Sequence, residues 1–170
     1  MMELATLLNI IATAAVLIGV VFGLTQLRHY HLSRKRDSAL FLLNSYQTGE
    51  FSDGIWSIMS IPDGLTKAEI DEKVGEDIKG IYRVMSAWES IGILVFQKEI
   101  AMDMVEEAYR GPIIISWKKL DLYVSGMREE LQRDTIFEWF QWLAERMEEQ
   151  ENKGSPVPAY IAHKDWTGKR

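Results

Sequence analysis

The chain has 170 residues, of which 47% are apolar and 26% charged, with no cysteine and a formal net charge of −6. This composition excludes a disordered, collagen-like or disulfide-stapled protein. The negative charge argues against a nucleic-acid partner, because nucleic-acid binding relies on clustered Lys and Arg. Every charged residue except Glu3 lies at or beyond Arg28, so the averages combine two very different parts of the chain.

The first part is an apolar stretch from Leu4 to Leu27, which is 24 residues without a charge. As a helix it would extend about 36 Å, more than the roughly 30 Å of hydrocarbon in a bilayer. A secretory signal peptide has a basic leader and a shorter apolar stretch, whereas the leader here is Met1-Met2-Glu3. We therefore predict a single, uncleaved N-terminal transmembrane helix as an anchor over residues 1–27.

A basic juxtamembrane neck, residues 28–36, follows the anchor. Lys and Arg are enriched on the cytoplasmic side of membrane helices and attract anionic headgroups by about 1 kcal/mol each. This pattern predicts a single-pass protein of the inner (cytoplasmic) membrane, with the N-terminus outside and the C-terminal domain in the cytoplasm. The residues that set this topology and contact the lipid headgroups are Arg28, Arg34, Lys35 and Arg36.

Small residues recur along the anchor at steps of three or four, at Ala12, Ala15, Gly19 and Gly23. This spacing aligns them on one helix face, where small side chains let two membrane helices approach closely. One interpretation is self-association or docking to another membrane helix. The other is the general abundance of Gly and Ala in membrane spans.

Residues 37–152 are predicted to form an all-α cytoplasmic domain, an antiparallel bundle of about five to six helices. Their apolar residues recur at helical spacing, and no stretch alternates as a half-buried strand does. Thr66 and Glu69 are spaced as a capping box that opens a long helix. The predicted helices cover residues 37–46, 52–60, 66–95, 101–110, 113–131 and 134–147, with Gly111-Pro112 between the fourth and fifth and Asp134 or Thr135 capping the last.

The tail, residues 153–170, contains Gly154, Pro156 and Pro158 and is predicted to be extended or disordered. Its Tyr160 and Trp166 are interpreted either as a short docking motif or as part of a solvated tail.

No motif for nucleophilic, metal or nucleotide chemistry occurs in the sequence, so we predict no cofactor, no metal and no catalytic residue. Glu89 lies at the edge of the long helical seam, and a partly buried carboxylate needs a partner, for which Arg128 is the candidate. A structural ion pair that fixes helix register is one interpretation. The other is an acid with a perturbed pKa at a functional site.

Three large apolar side chains, Ile115, Leu122 and Trp142, fall outside the predicted core stripes. If they are exposed, they form a candidate partner surface, because clustered exposed apolar groups mark contact sites. If their helices are buried on two sides, they belong to the core.

The segment Trp88-Glu89-Ser90-Ile91-Gly92-Ile93-Leu94-Val95 is followed by Trp117, Arg128 and Phe137-Glu138. This pattern resembles an uncharacterised bacterial domain-of-unknown-function family of small helical proteins with an N-terminal membrane anchor. The resemblance covers about residues 37–150, and Phe140 stands near where the family pattern has Leu. It implies an all-helical cytoplasmic domain and carries over no activity.

Together these features predict a membrane-anchored helical protein that acts through protein–protein interaction, as an accessory or regulatory subunit of a membrane complex or as a homo-oligomeric scaffold. Its expected partners are the lipid bilayer and a membrane protein or a second copy. The alternative is a membrane-anchored enzyme or cofactor-binding bundle that uses carboxylates such as Glu89.

Overall fold

The computed structural model of the chain describes Glu3, Thr6 and residues 13–26, 48–151 and 157–168. The chain divides into two compact units, Met1–Asn44 and Ser45–Arg170. Every regular element in the described residues is a helix, which confirms the predicted all-α fold class.

In the first unit, residues 13–26 are helical, and their side chains are exposed. Among the described residues, no helix combines the length and the apolar character needed to cross a membrane. Residues 1, 2, 4, 5, 7–12 and 27 of the predicted anchor lie outside the described residues, and Ala12 of the small-residue face is among them. The basic neck and the predicted helix over 37–46 also lie outside the described residues.

The second unit contains six α-helices in its described residues: five lie within the predicted domain, residues 37–152, and the sixth is a short helix in the tail. A single 3₁₀ turn, Gly75–Asp77, lies between the second and the third. The helices are α1 (Gly49–Ser60), α2 (Lys67–Val74), α3 (Ile78–Phe96), α4 (Met102–Leu131), α5 (Glu138–Glu151) and α6 (Ala159–Ala162).

The core lies between α3 and the helices packed against it, chiefly α1 and α5, while α4 packs against α5, α2 and α1. Trp88 of α3 is fully buried and contacts the rings of Phe51 and Tyr109, with centroid distances of 5.6 and 5.9 Å. Trp117 and Phe140 join α4 to α5 with their ring centroids 5.1 Å apart. Aromatic pairs of this kind add about 0.5–1.5 kcal/mol beyond the area they bury.

The predicted capping box is present, but the predicted long helix is interrupted. The Thr66 backbone N–H donates to Glu69 Oε2 at 2.8 Å, and the Glu69 N–H donates to the Thr66 hydroxyl. The helix that begins there ends after about two turns, because Gly75 adopts a positive φ of 58° that ends α2. Ile70 and Ile81 are nevertheless both fully buried, so the apolar seam continues across the break.

The predicted division at Gly111-Pro112 is wrong, because α4 is one continuous helix of 30 residues. A proline inside a helix lacks the N–H for one backbone hydrogen bond and costs about 3 kcal/mol. Val105 and Ile113, on either side of the proline, are fully buried. Burial of such side chains contributes about 1.5–3 kcal/mol each, which offsets the cost of the proline.

Candidate functional site

The start of α5 is bound by a side chain from another helix. Glu89, in the middle of α3, accepts a hydrogen bond from the Phe140 backbone N–H at 2.7 Å on its Oε2, and a second from the Trp139 N–H. The first N–H groups of a helix have no partner within the helix, and a carboxylate there also interacts favourably with the helix dipole. Glu89 therefore supplies the cap that α5 lacks locally.

This finding corrects the predicted start of the last helix. Asp134 and Thr135 do not cap it: α5 begins at Glu138, after Phe137 with a positive φ of 53°. The Thr135 hydroxyl instead accepts from Arg133 Nε at 3.2 Å. The left-handed residue turns the chain sharply between α4 and α5 and leaves the α5 amides facing α3.

Burial raises the pKa of the Glu89 carboxyl above its ordinary value, because the charged form loses solvation. The two backbone N–H groups act in the opposite direction and lower the pKa, and the neighbouring Glu138 raises it slightly. Glu89 is therefore a perturbed acid whose oxygens are already engaged by the α5 backbone.

The predicted ion pair between Glu89 and Arg128 does not form. Arg128 Nε donates to the Ile136 carbonyl at 2.9 Å, and its Nη1 donates to Gln141 Oε1 at 2.8 Å. Its charge still acts on Glu89 over a longer distance, where it lowers the pKa of the carboxyl. The Arg128 guanidinium thus binds both the turn before α5 and Gln141 in the first turn of α5. Glu89 binds the backbone N–H groups of Trp139 and Phe140, which lie between these two contacts in the sequence.

Gly92 allows α3 and α5 to approach closely one turn beyond Glu89. A Cβ atom at Gly92 would overlap the Trp139 carbonyl, with its carbon at 2.9 Å and the Trp139 Cβ at 3.0 Å. Contacts between real Cβ atoms and their neighbours essentially never fall below 3.0 Å. The absence of a side chain at Gly92 is therefore what brings the α5 amides within reach of Glu89.

Three aromatic side chains meet at the surface beside this crossing, and we call Phe96, Trp139 and Trp142 the aromatic patch. The ring centroid of Phe96 lies 4.7 Å from that of Trp139 and 6.0 Å from that of Trp142, and the two tryptophans are 6.0 Å apart. Phe96 is 58% exposed, and both tryptophans are partly exposed. A surface cluster of this composition resembles the anchors of protein interfaces, in which Trp is enriched.

The three residues of the predicted partner surface are not brought together in this patch. Trp142 belongs to it, whereas Ile115 and Leu122 are exposed on α4. Ile115 lines a separate cavity beside the end of α5 and the tail. Sequence analysis missed Phe96 and Trp139; the available signals were the i, i+3 spacing of the two tryptophans and the position of Phe96 directly after the buried seam.

A polar cluster elsewhere in the domain joins α2 to α4. Lys67 Nζ binds Asp71 at 2.9 Å and Glu130 at 3.0 Å, and the Tyr123 hydroxyl donates to Asp71 Oδ1 at 3.0 Å. Burial raises the pKa of Tyr123, so its hydroxyl stays protonated as a donor. The charged and hydrogen-bonding groups of this cluster therefore pair with one another.

Within the part of the chain that the structure describes, no group of three His, Asp or Glu side chains is arranged to hold a metal.

Comparison with known proteins identifies one family. The model of a family described as "Domain of unknown function (DUF4760)" matches residues 13–147. This range includes Glu89, Gly92 and the aromatic patch. It begins within the apolar segment before the neck. No curated protein and no solved structure matches the chain significantly.

Proposed function

Because the chain belongs to the DUF4760 family, whose function is unknown, we propose its function from its own surfaces: it is a single-pass membrane-anchored helical protein that acts by binding other proteins. In this proposal the domain beyond the neck is cytoplasmic and serves as an accessory or regulatory subunit of a membrane complex, or as a homo-oligomeric scaffold.

The membrane anchor is supported by the first unit and by the distribution of charge. Residues 13–26 form a helix without a charged side chain, and apolar groups such as Val16, Ile18 and Phe22 are more than half exposed on it. A helix that is apolar on all sides requires an apolar environment. The basic neck that follows favours the orientation with the C-terminal domain in the cytoplasm.

The aromatic patch is the observation that carries the interaction function. Exposed aromatic side chains held on rigid helices lose little conformational entropy on binding, and they dominate interface energetics. The patch is held in place by the Glu89 cap and the close approach at Gly92, so its shape is set before a partner arrives. Preorganisation of this kind lowers the cost of association.

Purification of the full chain in mild detergent tests this function. A stoichiometric partner is expected to co-purify with the wild type and to be lost when Phe96 and Trp142 are both replaced by Ser. Leu131→Ser is the matched control, because Leu131 is an exposed apolar residue at the far end of α4. Retention of the partner by the double variant, or loss with the control as well, would refute the assignment to the patch.

Topology and helix packing in the membrane are tested separately. A reporter fused after Arg170 is expected to be active only in its cytoplasmic form, and periplasmic activity would overturn the orientation. Gly19→Leu is expected to weaken association through the small-residue face. An unchanged distribution of oligomers in detergent would remove that part of the proposal.

A further inference from the structure

A second apolar surface lies on the side of the domain formed by α1, α3 and α4, and we call it the Trp56 groove. Its volume is about 300 Å³. Trp88 and Tyr109 lie in its lining, and so does Trp56, which has 74% of its surface exposed. Its principal lining residues are Phe51, Ile55, Trp56, Trp88, Tyr109 and Pro112.

An acidic cleft lies on the other side of Trp56, between α1 and the start of α3. Trp56 lines both surfaces, and the cleft has four carboxylates against two basic groups. Arg83 pairs with Glu50, so most of the remaining carboxylate charge has no such partner within the cleft. The acidic residues are Glu50, Asp53, Glu76 and Asp77, and the basic ones are Lys79 and Arg83.

The C-terminal tail has the complementary chemistry. It contains Pro156-Val157-Pro158, and Pro158 has φ −53° and ψ 138°, close to polyproline II geometry. Tyr160 and Trp166 are each 79% exposed. Residues 152–170 carry a net charge of +3, whereas residues 48–151 carry −11.

We propose that the Trp56 groove of one copy binds the Pro156–Trp166 segment of a second copy, with the basic end of the tail beside the acidic cleft. This inference rests on the proposed function, in that it assigns one of the protein contacts of the domain. Aromatic-lined grooves bind proline-containing polyproline II segments in several interaction domains, because such segments are already extended before binding.

The position of the tail within its own chain favours a second copy as the source. Val157, Ala159 and His163 line a different cavity, together with Arg110 and Ile115 of α4. There the aromatic side chains of the tail remain exposed. The aromatic side chains of the tail would therefore gain burial on another surface, and the opposite net charges of tail and domain favour an encounter between copies.

Cysteine cross-linking of the full chain in mild detergent tests the proposal, because the chain contains no cysteine of its own. One chain carries Ser52→Cys and a differently tagged chain carries Ala162→Cys, and the two are mixed and oxidised. These positions are chosen because Ser52 lines the groove and Ala162 lies between Tyr160 and Trp166. A mixed disulfide dimer is expected. Ser90→Cys, at an exposed position on α3, replaces Ser52→Cys as the control. Equal yields from the two pairings would overturn the proposal.

A chain carrying both Ser52→Cys and Ala162→Cys distinguishes the source of the tail. Rapid internal cross-linking of the monomer at high dilution would overturn the assignment to a second copy. A synthetic peptide of residues 155–170 is expected to compete with the mixed disulfide, and a Trp166→Ala peptide to compete about tenfold less well, because aromatic anchors dominate interfaces. Equal competition by the two peptides would refute the role of Trp166.

Two further measurements separate this proposal from the function it rests on. Trp56→Ala is expected to abolish the mixed disulfide while leaving the partner of the aromatic patch bound. Failure of any partner to bind the aromatic patch of the wild type, with an intact tail cross-link, would instead refute the proposed function alone.

Raising the salt from 50 to 500 mM is expected to lower the cross-link yield, because salt screens the charges of tail and cleft. A salt-independent yield would refute the contribution of the cleft.

Discussion

Replacement of Glu89 by Ala is expected to destabilise the domain by about 1–2 kcal/mol. The change removes the acceptor of the Trp139 and Phe140 N–H groups at the start of α5. Loss of a helix N-cap costs about 0.5–2 kcal/mol, and buried donors left without a partner cost about 1–3 kcal/mol. The lower part of this combined range applies, because Glu89 is only partly buried and water reaches the vacated site.

Thermal unfolding followed by circular dichroism measures this cost. For a domain of roughly 100 residues, 1 kcal/mol corresponds to a change in Tm of about 4–8 °C, so Glu89→Ala is expected to lower the Tm by about 5–15 °C. Glu129→Ala serves as the control, because Glu129 is an exposed residue of α4. A Tm for Glu89→Ala within about 2 °C of that of the control would refute the cap.

Glu89→Gln separates the hydrogen bonds from the charge. The amide oxygen of Gln accepts from the same N–H groups, and a neutral side chain avoids the desolvation that raises the pKa of Glu89. We therefore expect Glu89→Gln to be at least as stable as the wild type at pH 7. A Tm as low as that of Glu89→Ala would show that the carboxylate charge, rather than acceptance by an oxygen, stabilises α5.

The pH dependence follows from the direction of the same pKa shift. The folded-state pKa of Glu89 lies above its unfolded value, so the folded chain binds more protons between the two values. The stability that this group contributes is complete below the unfolded pKa and is lost as the pH rises through the folded pKa. The wild type should accordingly lose stability relative to Glu89→Gln over this window, and a constant difference in Tm would contradict the shift.

Three further changes test the rest of the fold. Gly92→Ala is expected to destabilise the domain by about 1–3 kcal/mol through overlap with the α5 backbone. Gly49→Ala is the control, because Gly49 is exposed with nothing within 4 Å of the added Cβ, and it should change stability by less than about 0.5 kcal/mol; equal denaturant midpoints for the two variants would refute the close approach. Thr66→Ala should cost about 1 kcal/mol in the same assay, and no change would contradict the capping box. Two lysines of α4 lower the pKa of Asp63, so its stabilising effect is present above its ordinary pKa and lost as the pH falls through the lowered one; Asp63→Asn should remove this acid sensitivity, and an unchanged pH profile would refute it.

Features that depend on residues close together in the sequence were predicted correctly. Thr66 and Glu69 are three positions apart, and the capping box they form is in the structure. The start of α5 escaped prediction because its cap is Glu89, which is 51 positions from Phe140. Pro112 does not end the helix as its local cost predicts, because core packing along α4 outweighs that cost.

The candidate site was predictable only in part. Glu89 stood out as a partly buried carboxylate, and Trp142 as an aromatic residue outside the core stripe. Their contacts depend on how α3 and α5 cross, and periodicity within one helix carries no information about a crossing. Phe96 and Trp139 are recognised as one surface only once the two helices are in place.

The cap that α3 provides for α5 also has a consequence for the order of events during synthesis. Ribosomes make α3 and α4 before α5, so Glu89 is already in place when the N–H groups that it caps emerge. A nascent chain that ends before Glu138 therefore leaves the Glu89 carboxylate and the apolar side of α3 uncovered. Completion of α5 covers this surface, so the domain acquires its protection against proteases and aggregation late, when α5 docks.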